Sequence, residues 1–539
     1  MSILFILVLN LLALNSLVLY KVNASKLIKN LNLGFYCLIL IVFVVKLSLN
    51  NFSNYNFNDL SSTNINIWFL LFFVIAFLVA MLFLLLQKYN NYLAIGFIML
   101  YLNASIGALL STQIIHLFIY WELLAIFAGI IIALSSNPLR KSVTLKYLTI
   151  HIFGGVLFFI GIINYITVYG NQLTFISLDN PLNYLILAGI LINLGVLPFS
   201  SWLIDGYSTA NPYTSIFLSI FTTKIALLIL YTLFNSSFLL VIIGIVMCFY
   251  AFIFAIFQTN ILKLLALSII HSLALSIIAI GSSANFDILI YILTSIFGKM
   301  LFFFVVIAVY NKKQNTNIYA LKNSIAIKSF YGAILIIAAL ENIGFIGFAS
   351  FVGKNIMSLR VEELNSSLLN YLFLVCASFS AGIISFKIPF FLLNFKNKNN
   401  VVLLDNKIQT IPYLLCLAVL FLISILYTTQ VASVTNFLHS MEVLIIGVML
   451  FFAFYYLLKN KEDKINYIFS LLKATLFFIS YSVLNKLANI NPFYYLHKLS
   501  MFSINLINHS IYLKYQKTSS IAFAILVIFC VFYAMVMIL

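Results

Sequence analysis

Acidic residues are scarce in this sequence: 12 Asp and Glu stand against 29 Lys and Arg in 539 residues. Charged residues of both signs make up only 8%, while 64% are hydrophobic and mean hydropathy is +1.15. A soluble domain cannot hide that much apolar surface from water, so a soluble fold is excluded. Cysteine is rare as well. The five Cys are scattered, mostly inside apolar runs, with neither paired nor metal-ligand spacing,. No Gly-rich phosphate loop, nucleophile–base set or facing His pair is present, so no cofactor and no metal are expected.

What is present is a series of apolar runs of about twenty residues, each long enough to cross a bilayer core as a helix. Runs such as "LLFFVIAFLVAMLFLLL" lack the period-2 alternation of membrane strands,. The sequence therefore predicts an all-α polytopic membrane protein with about 14–16 spans. They fall near 2–20, 33–48, 66–87, 91–110, 113–135, 148–170, 182–203, 213–234, 237–256, 261–281, 286–310, 327–357, 367–394 and 410–428. Further apolar segments lie near 440–458, 466–485 and 519–538, and 459–517 has the mixed character of a lateral amphipathic segment,. The first run lacks a basic n-region, so it reads as a span rather than a cleaved signal. The net charge of +17 is carried by Lys in short loops, which reads as topology and not as nucleic-acid binding,. Lys21, Lys88, Arg140, Lys141, Lys146, Lys263, Lys312, Lys396 and Lys407 all fall in odd-numbered loops, whereas Asp179 and Asp287 fall in even ones. Odd loops are expected to face the cytoplasm.

One phrase occurs twice. "NLGVLPFSSWL" begins at Asn193 and "NIGFIGFASFV" begins at Asn342. The copies fall in spans 7 and 12. A shift of five spans reverses the crossing direction, which predicts two inverted-topology five-helix repeats with discontinuous helices 7 and 12. Pro198 in one copy and Gly344 and Gly347 in the other are the expected helix breaks,. The expected organisation is a three-helix segment at 1–90, repeats at 91–235 and 236–395, and C-terminal helices at 396–539.

Four ionisable residues lie in strongly apolar context: Glu122, Lys224, Lys299 and Lys354. A charge at bilayer depth costs at least about 2.5 kcal/mol on insertion scales, so each calls for a partner or a wet cavity. Burial penalises the charged form, which makes each a group able to trade protons. Glu341 reads equally as a pore residue or a helix-end charge. Asn193, Asn342, His116, His151 and His271 are further relay or gating candidates. Asp205 reads as a turn residue capping span 8.

The segments "YWELLAIFAG", "LKYLTIHIFGGVLFFIGI", "LINLGVLPFSSWLIDGYSTANPYTSIFLSIFTTKIAL", "QTNILKLLALSII", "SIFGKMLFF" and "ENIGFIGFASFVGKNIM" occur in an order that resembles the antiporter-like proton-translocating subunits. That family includes the Mrp cation/proton antiporter subunits and the pump subunits of respiratory complex I. The likeness covers about residues 60–400 and is nearest in flavour to the D-type members of the Mrp antiporters. It implies that Glu122, Lys224, Lys299 and Lys354 occupy the family's relay positions on spans 5, 8, 11 and 12. Asn193 stands where complex I-type subunits carry a span 7 lysine, Ser295 where a His precedes the span 11 lysine, and "WLIDG" where the family has "WLPDA". The resemblance implies a subunit of a multisubunit Na+/proton antiporter in a bacterial inner membrane, a transporter rather than an enzyme. Its expected partners are sister subunits, protons, Na+ and the lipid bilayer. The alternatives are a proton-pumping complex I subunit, bacterial or in a mitochondrial inner membrane, and a non-conducting assembly subunit, which Asn193 and Ser295 favour.

Overall fold

The computed structural model describes residues 2–52, 62–178, 180–234, 236–282, 287–362, 367–380, 385–394, 407–431, 441–450 and 452. The expectations for 459–517, 466–485 and 519–538, and for Asp179 and Lys396, lie outside them. The described residues are mostly helical, as lipid requires of a backbone that must satisfy its own polar groups,. The helices are α1 (Ser2–Lys21), α2 (Lys26–Phe52), α3 (Ser62–Leu86), α4 (Tyr92–Leu109), α5 (Ile114–Ala133), α6 (Arg140–Tyr169), α7 (Asn183–Asn193), α8 (Ser201–Thr209) and α9 (Pro212–Ile220). They continue with α10 (Thr222–Leu233), α11 (Phe238–Phe257), α12 (Ile261–Gly281), α13 (Asp287–Lys313), α14 (Phe330–Ile343), α15 (Ala349–Glu362), α16 (Ser367–Ser380), α17 (Lys387–Leu392) and α18 (Ile411–Val431). Ten described segments are long and apolar enough to cross a membrane. Shorter apolar helices include α7 and α14, each the first part of a divided span.

Burial separates inner from outer helices. The most apolar stretch of α12 is buried throughout, and that of α13 nearly so, whereas α2, α6 and α18 present most of theirs outward. The sequence of α12 suits its place. Its Ser268, Ser272 and Ser276 are all buried, and each hydroxyl donates to a carbonyl one turn back in the same helix. That self-satisfaction lets a polar residue sit in an apolar core without needing a neighbour. By contrast α18 turns Leu414, Phe421, Leu422 and Ile425 outward, the pattern of a lipid-facing helix.

Span 8 is present over Pro212–Leu233, with α9 and α10 meeting at Phe221 (φ −99°, ψ −74°). In span 13 the described residues form α16 and α17, after which β2 (Leu393–Asn394) pairs in parallel with β1 (Ile325–Ala326). Lys146 and Asp205 are not loop residues. Lys146 lies in α6 and Asp205 in α8, because the first turns of α6 carry the basic cluster and "SWLID" is already helical.

Candidate functional site

The two copies of the repeated phrase end their helices in the same way. In the first, Gly195 adopts φ +70°, its N–H donates to Ile192 O (3.0 Å), and Val196 N–H donates to Leu191 O (3.1 Å). In the second, Gly344 adopts φ +79°, its N–H donates to Glu341 O (3.0 Å), and Phe345 N–H donates to Leu340 O (3.0 Å). This is a left-handed glycine cap, a conformation in which a Cβ would be strained. The glycine directly after "Asn-aliphatic" therefore ends each helix. Pro198, taken from sequence as the first break, follows the end already made by Gly195. Its bond to Leu197 is cis, and Gly347 holds the corresponding place with φ +85°. The chain becomes helical again at Ser201 and at Ala349.

A divided helix leaves carbonyls to be satisfied at membrane depth. The two copies solve this with different chemistry. In the first, the indole N–H of Trp202 donates to Ile192 O (2.9 Å). In the second, the ammonium of Lys354 donates to Asn342 O and Ile343 O (2.8 Å each) and to Ser380 Oγ (2.8 Å). A cation thus sits at the negative end of α14.

Around this cap lies a connected polar set. Lys299 Nζ donates to Asn342 Oδ1. Asn342 Nδ2 donates to Ser385 Oγ (2.9 Å), and Ser385 Oγ donates to Ser380 O (3.1 Å). Asn342 therefore touches both lysines, Lys299 through its side chain and Lys354 through its main chain. Glu341 is 1% exposed. Its Oε1 accepts from Ser350 N–H (3.0 Å), and its main-chain O accepts from the Ser350 hydroxyl. Gly298, next to Lys299, leaves room for the Glu341 side chain: an added Cβ would come within 3.1 Å of its Cγ. Lys299 is also within electrostatic reach of Lys224 and Lys354.

The first half is built more sparsely. Lys224 is 1% exposed and is the third residue of α10, just past the Phe221 break. Tyr101 braces that break by hydrogen-bonding the Thr222 hydroxyl and accepting from Thr222 N–H (3.1 Å). Glu122 packs against α6 at Gly155, where an added Cβ would overlap its Oε1. That oxygen has no hydrogen-bond partner, and neither has Asn193 Oδ1, although both are buried. Glu122 is thus near α6 and is not gathered into the Lys299–Asn342–Lys354 set. The histidines divide. His151 is buried, bonded to Tyr147 O (2.9 Å), and held between Tyr147 and Trp202. His271 bonds Cys376 O (2.8 Å) in the core. His116 faces outward.

Two cations are buried that the sequence did not mark as buried, Lys146 and Lys387. Lys146 pairs with Asp205 at 2.7 Å, and Lys263 approaches the other carboxylate oxygen at 3.6 Å. This ties α6, α8 and α12 together. Lys387 donates to Ala255 O (2.9 Å), Ile256 O (2.7 Å) and Gln258 O (2.8 Å), capping the C-terminus of α11 as Lys354 caps α14. Asp205→Asn should leave the buried Lys146 without its counter-charge. We expect a loss of roughly 1–3 kcal/mol, below the figure for a fully buried pair because Asp205 is partly exposed,. A thermal melt in detergent should show it, with Asp205→Glu recovering most of the loss. An unchanged melting temperature for Asp205→Asn would remove the pair from the stabilising contacts.

Residues 111–385, about half of the chain, match the family profile described as NADH:quinone oxidoreductase/Mrp antiporter, TM. The chain belongs to this family. Among its relatives, NADH-ubiquinone oxidoreductase chain 2 of Dictyostelium citrinum is 24% identical over 351 residues, covering 58% of this chain and 68% of the relative. The chain 2 protein of Dictyostelium discoideum is 26% identical over 293 residues, 48% of this chain and 59% of the relative. Three solved structures share the fold. One is a chain of the archaeal membrane-bound sulfane sulfur reductase (TM-score 0.69, 18% identity, 84% of this chain and 99% of that one). Another is from the Mrp complex of Dietzia sp. DQ12-45-1b (0.65, 13%, 83% and 99%). The third is from respiratory complex I of Thermus thermophilus (0.66, 16%, 79% and 97%). The Lys299–Asn342–Lys354 set, at the divided α14–α15 segment, lies inside the matched region of this chain.

Proposed function

We propose that this chain is a proton-translocating membrane subunit of an NADH:quinone oxidoreductase-type complex. Protons move along a chain of Glu122, Lys224, Lys299 and Lys354, with water completing the gaps and each Lys alternating between charged and neutral as its neighbours change. The observation that carries this reading is the run of polar contacts from Lys299 through Asn342, Ser385 and Ser380 to Lys354 in an otherwise apolar interior. These contacts hold two buried lysines close together in a polar pocket that water can complete, and a buried lysine is costly without such a use.

The second reading is the Na+/proton antiporter subunit that the sequence resemblance put first. The two curated relatives, both named NADH-ubiquinone oxidoreductase chain 2, move the complex I reading ahead of it. They also favour a mitochondrial over a bacterial inner membrane. Partner subunits complete the assembly under either reading. The same assay separates them. The purified complex is reconstituted into vesicles carrying a lumenal pH dye. NADH with a quinone should acidify the lumen, with no need for Na+. An imposed proton gradient collapsed by Na+ without NADH would support the antiporter instead. A complex active in neither mode would leave the assembly role.

A further inference from the structure

A cavity of about 390 Å³ lies between the α14–α15 break and α18. That is within the roughly 300–1,000 Å³ of small-molecule sites. Its walls are almost wholly apolar, with Phe348 on the break and Leu417, Ala418 and Phe421 on α18. Among the described residues lining it, the polar side chains are Glu341 and Ser424. Phe421 is 65% exposed, so the cavity's rim lies on the outward face of α18.

Glu341 makes this more than a packing gap. It is 1% exposed, its Oε1 accepts from Ser350 N–H, and the Ser350 hydroxyl and Ala349 N–H also act on the carboxylate. Oε2 is buried with no hydrogen-bond partner. Such an oxygen ordinarily carries a desolvation cost that a donor would remove. Lys354 is the cation in electrostatic reach of the carboxylate, but its ammonium donates to Asn342 O, Ile343 O and Ser380 Oγ instead. Glu341, which carries this vacant acceptor, lines the inner end of an apolar slot whose rim is exposed.

We propose that this slot binds an amphiphile with a single cationic amine head and an alkyl tail, entering from the bilayer. The head donates to Glu341 Oε2, and charge-assisted bonding favours an ammonium over a neutral donor. The tail lies along Leu417 and Phe421. An anionic head is excluded by the carboxylate. Binding is read without any transport measurement, so it stands or falls separately from the proposed function.

The test uses the assembled complex in lipid nanodiscs and a dodecylamine bearing a photoreactive diazirine in its chain. Crosslinks should map to Phe348, Leu417 or Phe421. Unlabelled dodecylamine should compete and dodecanoate should not. Glu341→Gln should weaken competition by about tenfold or more. Ala418→Trp, on the opposite wall, should abolish labelling by filling the slot while leaving the carboxylate in place. That variant guards against Glu341→Gln acting through misfolding. Labelling that survives both substitutions, falls elsewhere, or is competed equally by dodecanoate would overturn the proposal.

Discussion

Replacing Lys299 by alanine should abolish proton translocation, and replacing it by arginine should do the same. Arginine can still donate to Asn342 and still carries the charge, but it does not release a proton in the working pH range. If Lys299 passes protons between Lys224 and Lys354, a permanent cation at its position stops the traffic as surely as a methyl group. A fall of at least about 100-fold is expected, the lower end of what a positioned acid–base group contributes. The measurement is the initial rate of lumenal acidification, normalised to assembled complex. An arginine variant with near-normal rate would show that charge alone is needed, and the relay reading would be wrong at this site.

Glu122→Gln should leave assembly intact and lower translocation by about tenfold or more. Glutamine keeps the volume that Gly155 accommodates, so the α5–α6 contact survives. What it loses is titration. The unpartnered Oε1 also means that no specific hydrogen bond at that oxygen is lost, so a rate defect would report protonation rather than broken structure. Gly155→Ala offers a second approach: it leaves the carboxyl group but forces it to move, and should lower the rate without changing the chemistry present. Wild-type rates in both variants would take Glu122 out of the proton path.

The spans were legible because lipid demands long apolar runs and tolerates little else. The divided helices were legible for a different reason: the same phrase was written twice. Which residue ends the helix was harder to see. Pro198 is conspicuous, whereas Gly195 is one glycine among 20, and only its left-handed φ marks it as the cap. The Phe221 break carries no Pro or Gly. It is braced at Thr222 by Tyr101, 121 positions away in another helix, so no local signal existed. Lys146 was misplaced because Arg140 and Lys141 before it look like a loop, and its partner Asp205 is distant in sequence. Lys387 was missed because its acceptors are backbone carbonyls, which every residue has. The four relay candidates were visible as charges in apolar runs. That Asn342 bonds two of them at once was not, because it depends on α13 and α15 packing on the same helix end.

The cap on α14 has a mechanical side. Lys354 serves three acceptors with the three hydrogens of an ammonium: two carbonyls on one side of the break and a serine hydroxyl on α16. A neutral amine has only two. Should Lys354 give up a proton, one acceptor goes unserved, and the stitch between α14, α15 and α16 loosens by one bond until the proton returns. The hinge of this segment would then be set by stoichiometry, tightening and slackening with each proton that passes.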